Sequence, residues 1–211
     1  PPSSSDPPLL LSAQQNECIA DLPVRSDLWY SRNHLWMDDR DDGRRYVGID
    51  AFLARLLGRI DGVHFLTTRG TALPTAVLSV ADVDLHLTFP LALDITRTNN
   101  YARACPGKMV EQPYGRGWLF EGVVPPTARG TDATETSLLM QGTEVVQWMA
   151  NEIKRLTALV HDRIIPGRTA EPIVMMDGGL PVAGLMSQLC REEVLLLYHE
   201  FLFLNIPRRT G

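Results

Sequence analysis

The side chains of this 211-residue chain that could do chemistry are five histidines, three cysteines, two lysines, a few serines and a cluster of aspartates. His64 and His86 fall on predicted strands and could be neighbours, yet no carboxylate or cysteine stands at metal-ligand spacing beside them. His161 and His199 fall on predicted helices and read as solvated. Asp38-Asp39 and Asp41-Asp42 are interleaved with Arg40, Arg44 and Arg45, which makes a charged turn rather than a calcium loop. Ser79 lacks the glycines of a nucleophile elbow, and Ser187 lies within a predicted helix. Gly178-Gly179 is too short to cradle a phosphate, and two terminal arginines, Arg208-Arg209, are weak evidence for a phosphate partner. These residue types predict no catalytic residue, no metal and no bound cofactor.

Composition narrows the setting. Apolar residues make up 45% and charged residues 21%, the profile of an ordinary globular chain. A net charge of −5 gives no support to direct nucleic-acid contact, although a local basic patch is left open. Cys18, Cys105 and Cys190 are odd in number and scattered, which fits a reducing compartment and not a disulfide framework. The most apolar run, 194–206, is too short to span a bilayer and contains His199 and Glu200. The start Pro-Pro-Ser-Ser-Ser-Asp has neither methionine nor an apolar signal core, and reads as a processed end with any targeting segment out of view.

The elements that must position these residues follow from pattern. Residues 1–27, rich in Pro, Ser and Gln, predict an extended arm. From Leu28, short strands separated by turn signals predict a compact β barrel or sandwich reaching 123. It is interrupted by a short helix after Asp50, with Phe52, Leu53, Leu56 and Leu57 at helical spacing and Gly58 as its stop. Residues 124–142 read as a linker. Residues 143–165 predict an amphipathic helix with Val146, Met149, Ile153, Leu156 and Val160 on one face and Asn151, Glu152, Lys154 and Arg155 off it. A second helix is predicted from about 182 to 204, apolar on nearly every side in its latter half. The fold class is therefore α+β, a small β barrel or sandwich with a C-terminal two-helix extension spanning 143–211.

Three islands give the β region a family likeness. They are His34-Leu35-Trp36 followed by Tyr46-Val47-Gly48-Ile49-Asp50, the helix Ala51 to Ile60, and Gln112-Pro113-Tyr114-Gly115-Arg116-Gly117-Trp118-Leu119-Phe120. In that order they resemble the H protein of the glycine cleavage system, a lipoyl-domain carrier that bears lipoate on a lysine. The resemblance implies that this lysine follows a Glu-Ser-Val triplet at a hairpin tip. The matching triplet here is Leu78-Ser79-Val80, and the next residues are Ala81 and Asp82. Neither can form the amide, so the resemblance implies a retained fold with an empty attachment position. Arg59 also replaces the acidic residue that normally follows the leucine-glycine pair. The lysines present, Lys108 and Lys154, lie elsewhere, and His34 belongs to the motif with no chemistry assigned to it.

From this the expected function is that of a non-catalytic structural or assembly subunit. The arm and the helices would dock it to other protein subunits of a large complex, a mitochondrial ribosome or its assembly machinery being one such setting. The matrix location is implied by the resemblance alone. Leu195, Leu196, Phe201, Leu202 and Phe203 are the candidate interface residues, and removing 143–211 is expected to leave a soluble β core. The alternative is a divergent binding or regulatory protein of glycine cleavage or lipoate metabolism.

Overall fold

The computed structural model describes residues 16–126, 138–164 and 183–204. An antiparallel hairpin of β1 (Asn16–Ile19) and β2 (Leu22–Arg25) leads into β3 (Trp29–Ser31), β4 (Leu35–Asp39) and β5 (Arg44–Ile49). Then follow α1 (Ala51–Leu57), β6 (Gly62–Phe65), β7 (Gly70–Ala72), β8 (Thr75–Val80), β9 (Val83–Thr88) and β10 (Leu93–Thr98). Two short helices, α2 (Asn100–Ala104) and α3 (Gly107–Glu111), precede β11 (Trp118–Val123). After β12 (Leu139–Met140) comes α4 (Thr143–Leu159), which runs on into a π turn, Val160–Ile164. One 3-10 turn (Leu185–Gln188), α5 (Arg191–Leu197) and a second π turn (Tyr198–Leu202) end the described chain.

Among the described residues one antiparallel sheet has the order β12-β3-β4-β5-β11-β10-β7, and a three-stranded sheet has the order β6-β8-β9. Trp36 on β4 sets the packing between them and the loops. Its indole is buried, and its Nε1 donates to the carbonyls of Ile49 at 2.7 Å and Pro113 at 3.1 Å. Opposite it on β5 stands Gly48, where any Cβ would come within 2.6 Å of the indole ring. The glycine is there because the tryptophan needs its space.

Asp50 caps α1 as predicted, its Oδ1 accepting from the Leu53 amide at 2.8 Å. Ala51 and Ala54 join the four predicted apolar residues in the core. The short helices α2 and α3 carry no strong sequence period. They are fixed instead by Asn99, whose side chain accepts from Tyr101 and Ala102 and donates to the carbonyls of Arg116 and Trp118.

Several expected boundaries change. The described end of the arm, 16–25, is a hairpin and not an extended segment, because Leu22 and Val24 alternate into the core. The linker's end forms β12, pairing Leu139 with Ser31 and Met140 with Tyr30. In α4 the buried stripe takes Val145 rather than Val146, and it includes Glu152. The second C-terminal helix is a 3-10 turn and a separate short helix, broken at Leu189, whose backbone is extended.

The largest correction concerns the C-terminal elements as separable docking surfaces. Met149, Ile153 and Leu156 of α4 and Leu185, Met186, Val194 and Leu197 belong to one continuous core with the strands. A small β layer cannot close its own interior, and these helices complete it. A soluble β core is thus not what removal of 143–211 would leave.

Candidate functional site

The hairpin β8–β9 presents the position where the motif comparison put the missing lysine. Val80 pairs with Val83, so only Ala81 and Asp82 form the loop, with φ of +48° and +59°. Two successive positive φ values define the tight turn that matches the twist of a two-residue hairpin. Both residues are exposed, at the tip. The Ala81 amide donates to Asp61 Oδ2 at 3.2 Å, and Ser79 Oγ donates to Asp84 Oδ1 at 2.7 Å. No amine is present at the turn. Lys108 sits on α3, ion-paired with Glu111, which raises its pKa, and Lys154 lies on the exposed side of α4.

The turn and the outer edge of β9 are engaged from within the chain. Arg191 Nη1 donates to the Asp82 carbonyl at 3.4 Å, and Tyr198 Oη donates to the His86 carbonyl at 2.9 Å. Asn33 Nδ2 donates to the Thr88 carbonyl at 2.9 Å. An open strand edge invites pairing with another chain, and here side chains cover its acceptors. The Gly184 amide anchors the same segment by donating to the Arg55 carbonyl of α1 at 2.8 Å.

Beneath lies a charged cluster that sequence reasoning missed. His34, in the β3–β4 turn at φ +62°, is fully buried between the rings of Phe52 and Trp148, with centroids 4.2 and 4.8 Å away. Its Nδ1 is 2.8 Å from Asp50 Oδ2, and its Nε2 faces Glu152 Oε2 at 3.7 Å. Burial alone pulls an imidazolium down. The two carboxylates outweigh that and hold His34 raised to about 9. For Glu152 burial pulls the other way, but the contacts to His34 and Arg155 leave it lowered. Beside them Tyr30 and Tyr114 are pushed up, chiefly by burial, and Tyr114 Oη donates to the Pro23 carbonyl while accepting from the Ala51 amide. Arg25, buried in β2, reaches Asp27. This arrangement holds elements together through charge. It exposes no nucleophile.

The remaining candidates separate. His64 and His86 flank Val77 on the outer face of the small sheet, both exposed. Among the described residues no group of His, Cys, Asp and Glu could hold a metal ion. His161, His199 and the three cysteines are exposed. Asp38, Asp39 and Asp42 pair with Arg40, Arg45 and Arg44. Ser187 Oγ donates to the Gly184 carbonyl. Gly178-Gly179 and Arg208-Arg209 lie outside the described residues. Of the interface candidates, Phe201 and Leu202 turn into the chain's own core, because the π turn rolls them under Phe52 and Arg155. Leu195 and Leu196 are half-buried, and Phe203 is 54% exposed. No helix among the described residues is long and apolar enough to cross a membrane.

No family model matches the chain. Curated relatives do. It is 32% identical over 105 residues to the glycine cleavage system H protein of Thermobifida fusca, covering 47% of this chain and 81% of that one. It is 27% identical over 120 residues to that of Cronobacter sakazakii, covering 56% and 88%. It is 26% identical over 132 residues to that of an Enterobacter species, covering 61% and 98%. The last match is longer than the whole of 28–123, so the likeness continues into flanking elements. A solved H protein from Mycobacterium marinum is similar at a TM-score of 0.45 and 21% identity, covering 57% of this chain and 94% of that one. With the motif residues placed around one barrel-like core and relatives matched over most of their length, the chain belongs to the glycine cleavage system H protein family.

Proposed function

We propose that this chain is a family member that carries no lipoyl group and serves as a structural or assembly subunit of a larger mitochondrial complex. One observation supports this reading above the others. The turn that would present the attachment lysine holds Ala81 and Asp82, and the chain's own Arg191 hydrogen-bonds to it. A swinging arm needs an amine on a free tip, and here the amine is missing and the tip is tied down. The partners in this reading are proteins, met through surfaces such as the exposed Phe203 beside Tyr198 and His199.

The expected result is an intact native mass without a lipoyl increment. Ala81→Lys, incubated with a lipoate–protein ligase, lipoate and ATP, should gain that increment where the unaltered chain does not. An acyl arm on Lys108 or Lys154 of the native protein would end the proposal. Native co-purification with a large assembly supports the subunit role, and co-purification with glycine cleavage or lipoate-attaching enzymes would replace it with a regulatory one.

A further inference from the structure

Four arginines among the described residues stand over aromatic rings, and three of them share one pattern. Arg40 lies 4.5 Å from the Tyr46 ring, Arg97 5.2 Å from Trp118 and Arg155 4.8 Å from Phe201. All three rings are buried, and the guanidiniums are ion-paired with Asp38, Glu121 and Glu152 in turn. Such pairs are complete within the molecule. The fourth departs from the pattern on both counts. Arg116 lies 5.8 Å from the Tyr101 ring, and that ring is 41% exposed. Arg116 is exposed as well, with no carboxylate partner among the described residues.

One buried side chain holds this exposed pair in place. Asn99 accepts from the Tyr101 amide through Oδ1 at 3.1 Å and donates through Nδ2 to the Arg116 carbonyl at 2.9 Å. Arg103 stands two residues along α2 from the ring, exposed and likewise without a carboxylate partner among the described residues. Lys108 on α3 has its pKa raised, first by its hydrogen bond to Glu111, and Arg116 lies near enough to oppose that rise. Glu111 is the only acid between 97 and 118, against four basic residues, in a chain of net charge −5. The local basic patch that the net charge left open is here.

We propose that Tyr101, with Arg103, Lys108 and Arg116 around it, is a contact for single-stranded nucleic acid: a base stacks on the exposed phenol ring, and backbone phosphates lie against the cations. Every base has an aromatic face, so a contact of this kind tolerates any sequence. An acidic peptide would satisfy the cations too, but it would leave the ring unused and still open to water. The contact adds to the subunit role and stands without it, since a lipoylated chain would keep the same patch.

The test is fluorescence anisotropy of a labelled oligouridylate of about ten nucleotides, titrated with the full chain. Wild type should bind in about 50 mM salt, and its affinity should fall about twentyfold by about 200 mM, the dependence expected of about three neutralised phosphates. Tyr101→Ala should weaken binding about tenfold, and Tyr101→Phe, which keeps the ring, should leave it unchanged. Arg103→Gln and Arg116→Gln should each weaken binding and make the salt dependence shallower, while Arg40→Gln, whose guanidinium is already paired, should do neither. Far-UV circular dichroism of each variant separates loss of the site from loss of the fold. Displacement by unlabelled oligothymidylate as readily as by oligouridylate marks a contact blind to the 2′-hydroxyl, and weaker displacement marks one for RNA; either supports the proposal. No binding in about 50 mM salt, wild-type affinity in Tyr101→Ala, or displacement by polyglutamate of matched charge as strong as by oligouridylate would each overturn it, the last by assigning the patch to an acidic protein.

Discussion

Gly58→Ala is expected to destabilise the chain by about 3 kcal/mol or more and to free its C-terminal segment. Gly58 ends α1 at φ +64°, where a side chain is strained. A Cβ there would sit 2.1 Å from Gly184 Cα and 2.6 Å from Gly184 N. Both are backbone atoms, so no rotamer change relieves the clash. The neighbouring loop must move instead, breaking the bond from the Gly184 amide to the Arg55 carbonyl and lifting Leu185 and Met186, both fully buried. Exposing each costs about 1.5–3 kcal/mol, with left-handed strain added. Urea unfolding would show a lower midpoint, and limited proteolysis would show new cuts within 183–204. Wild-type behaviour in both would mean that the two glycines do not form the hinge of the C-terminal segment.

How much of this was legible in the sequence depends on how far apart the interacting groups lie. The hairpin tip was readable only through the family motif, whose matching triplet Leu78-Ser79-Val80 is followed by Ala81 and Asp82; the structure places these two residues in the two-residue turn between β8 and β9. The cap at Asp50 was readable because its partner, the Leu53 amide, lies within one turn. The His34 cluster was not. Its carboxylates come from α1 and from a helix more than a hundred residues onward, and no local spacing marks such a pair. Glu152 misled for a physical reason. A carboxylate on an amphipathic helix is normally solvated, and only a cation already buried opposite makes its burial tolerable. The same blindness affected Phe201 and Leu202. An apolar run announces that it must be covered, but not whether the cover is another protein or the chain's own α1.

Asp50→Ala removes two functions at one position, and stability should fall by about 3–5 kcal/mol. Asp50 and His34 are both fully buried, so the truncation leaves an imidazolium without its hydrogen-bonded partner, and water cannot reach it. Loss of the cap to the Leu53 amide accounts for about 1 kcal/mol of that figure. Asp50→Asn separates the two effects. An amide oxygen can still accept at the cap, so the capping loss disappears while the charge is gone. Its cost should be smaller at pH above about 9, where the wild-type ring is itself neutral, than near pH 6. Combining Asp50→Asn with Glu152→Gln should be non-additive, because either change alone already weakens the reason for His34 to stay protonated. Chemical denaturation of the four proteins at both pH values measures this coupling directly. Strictly additive losses at pH 6 would mean that the two carboxylates act on separate groups and share no proton-bearing ring.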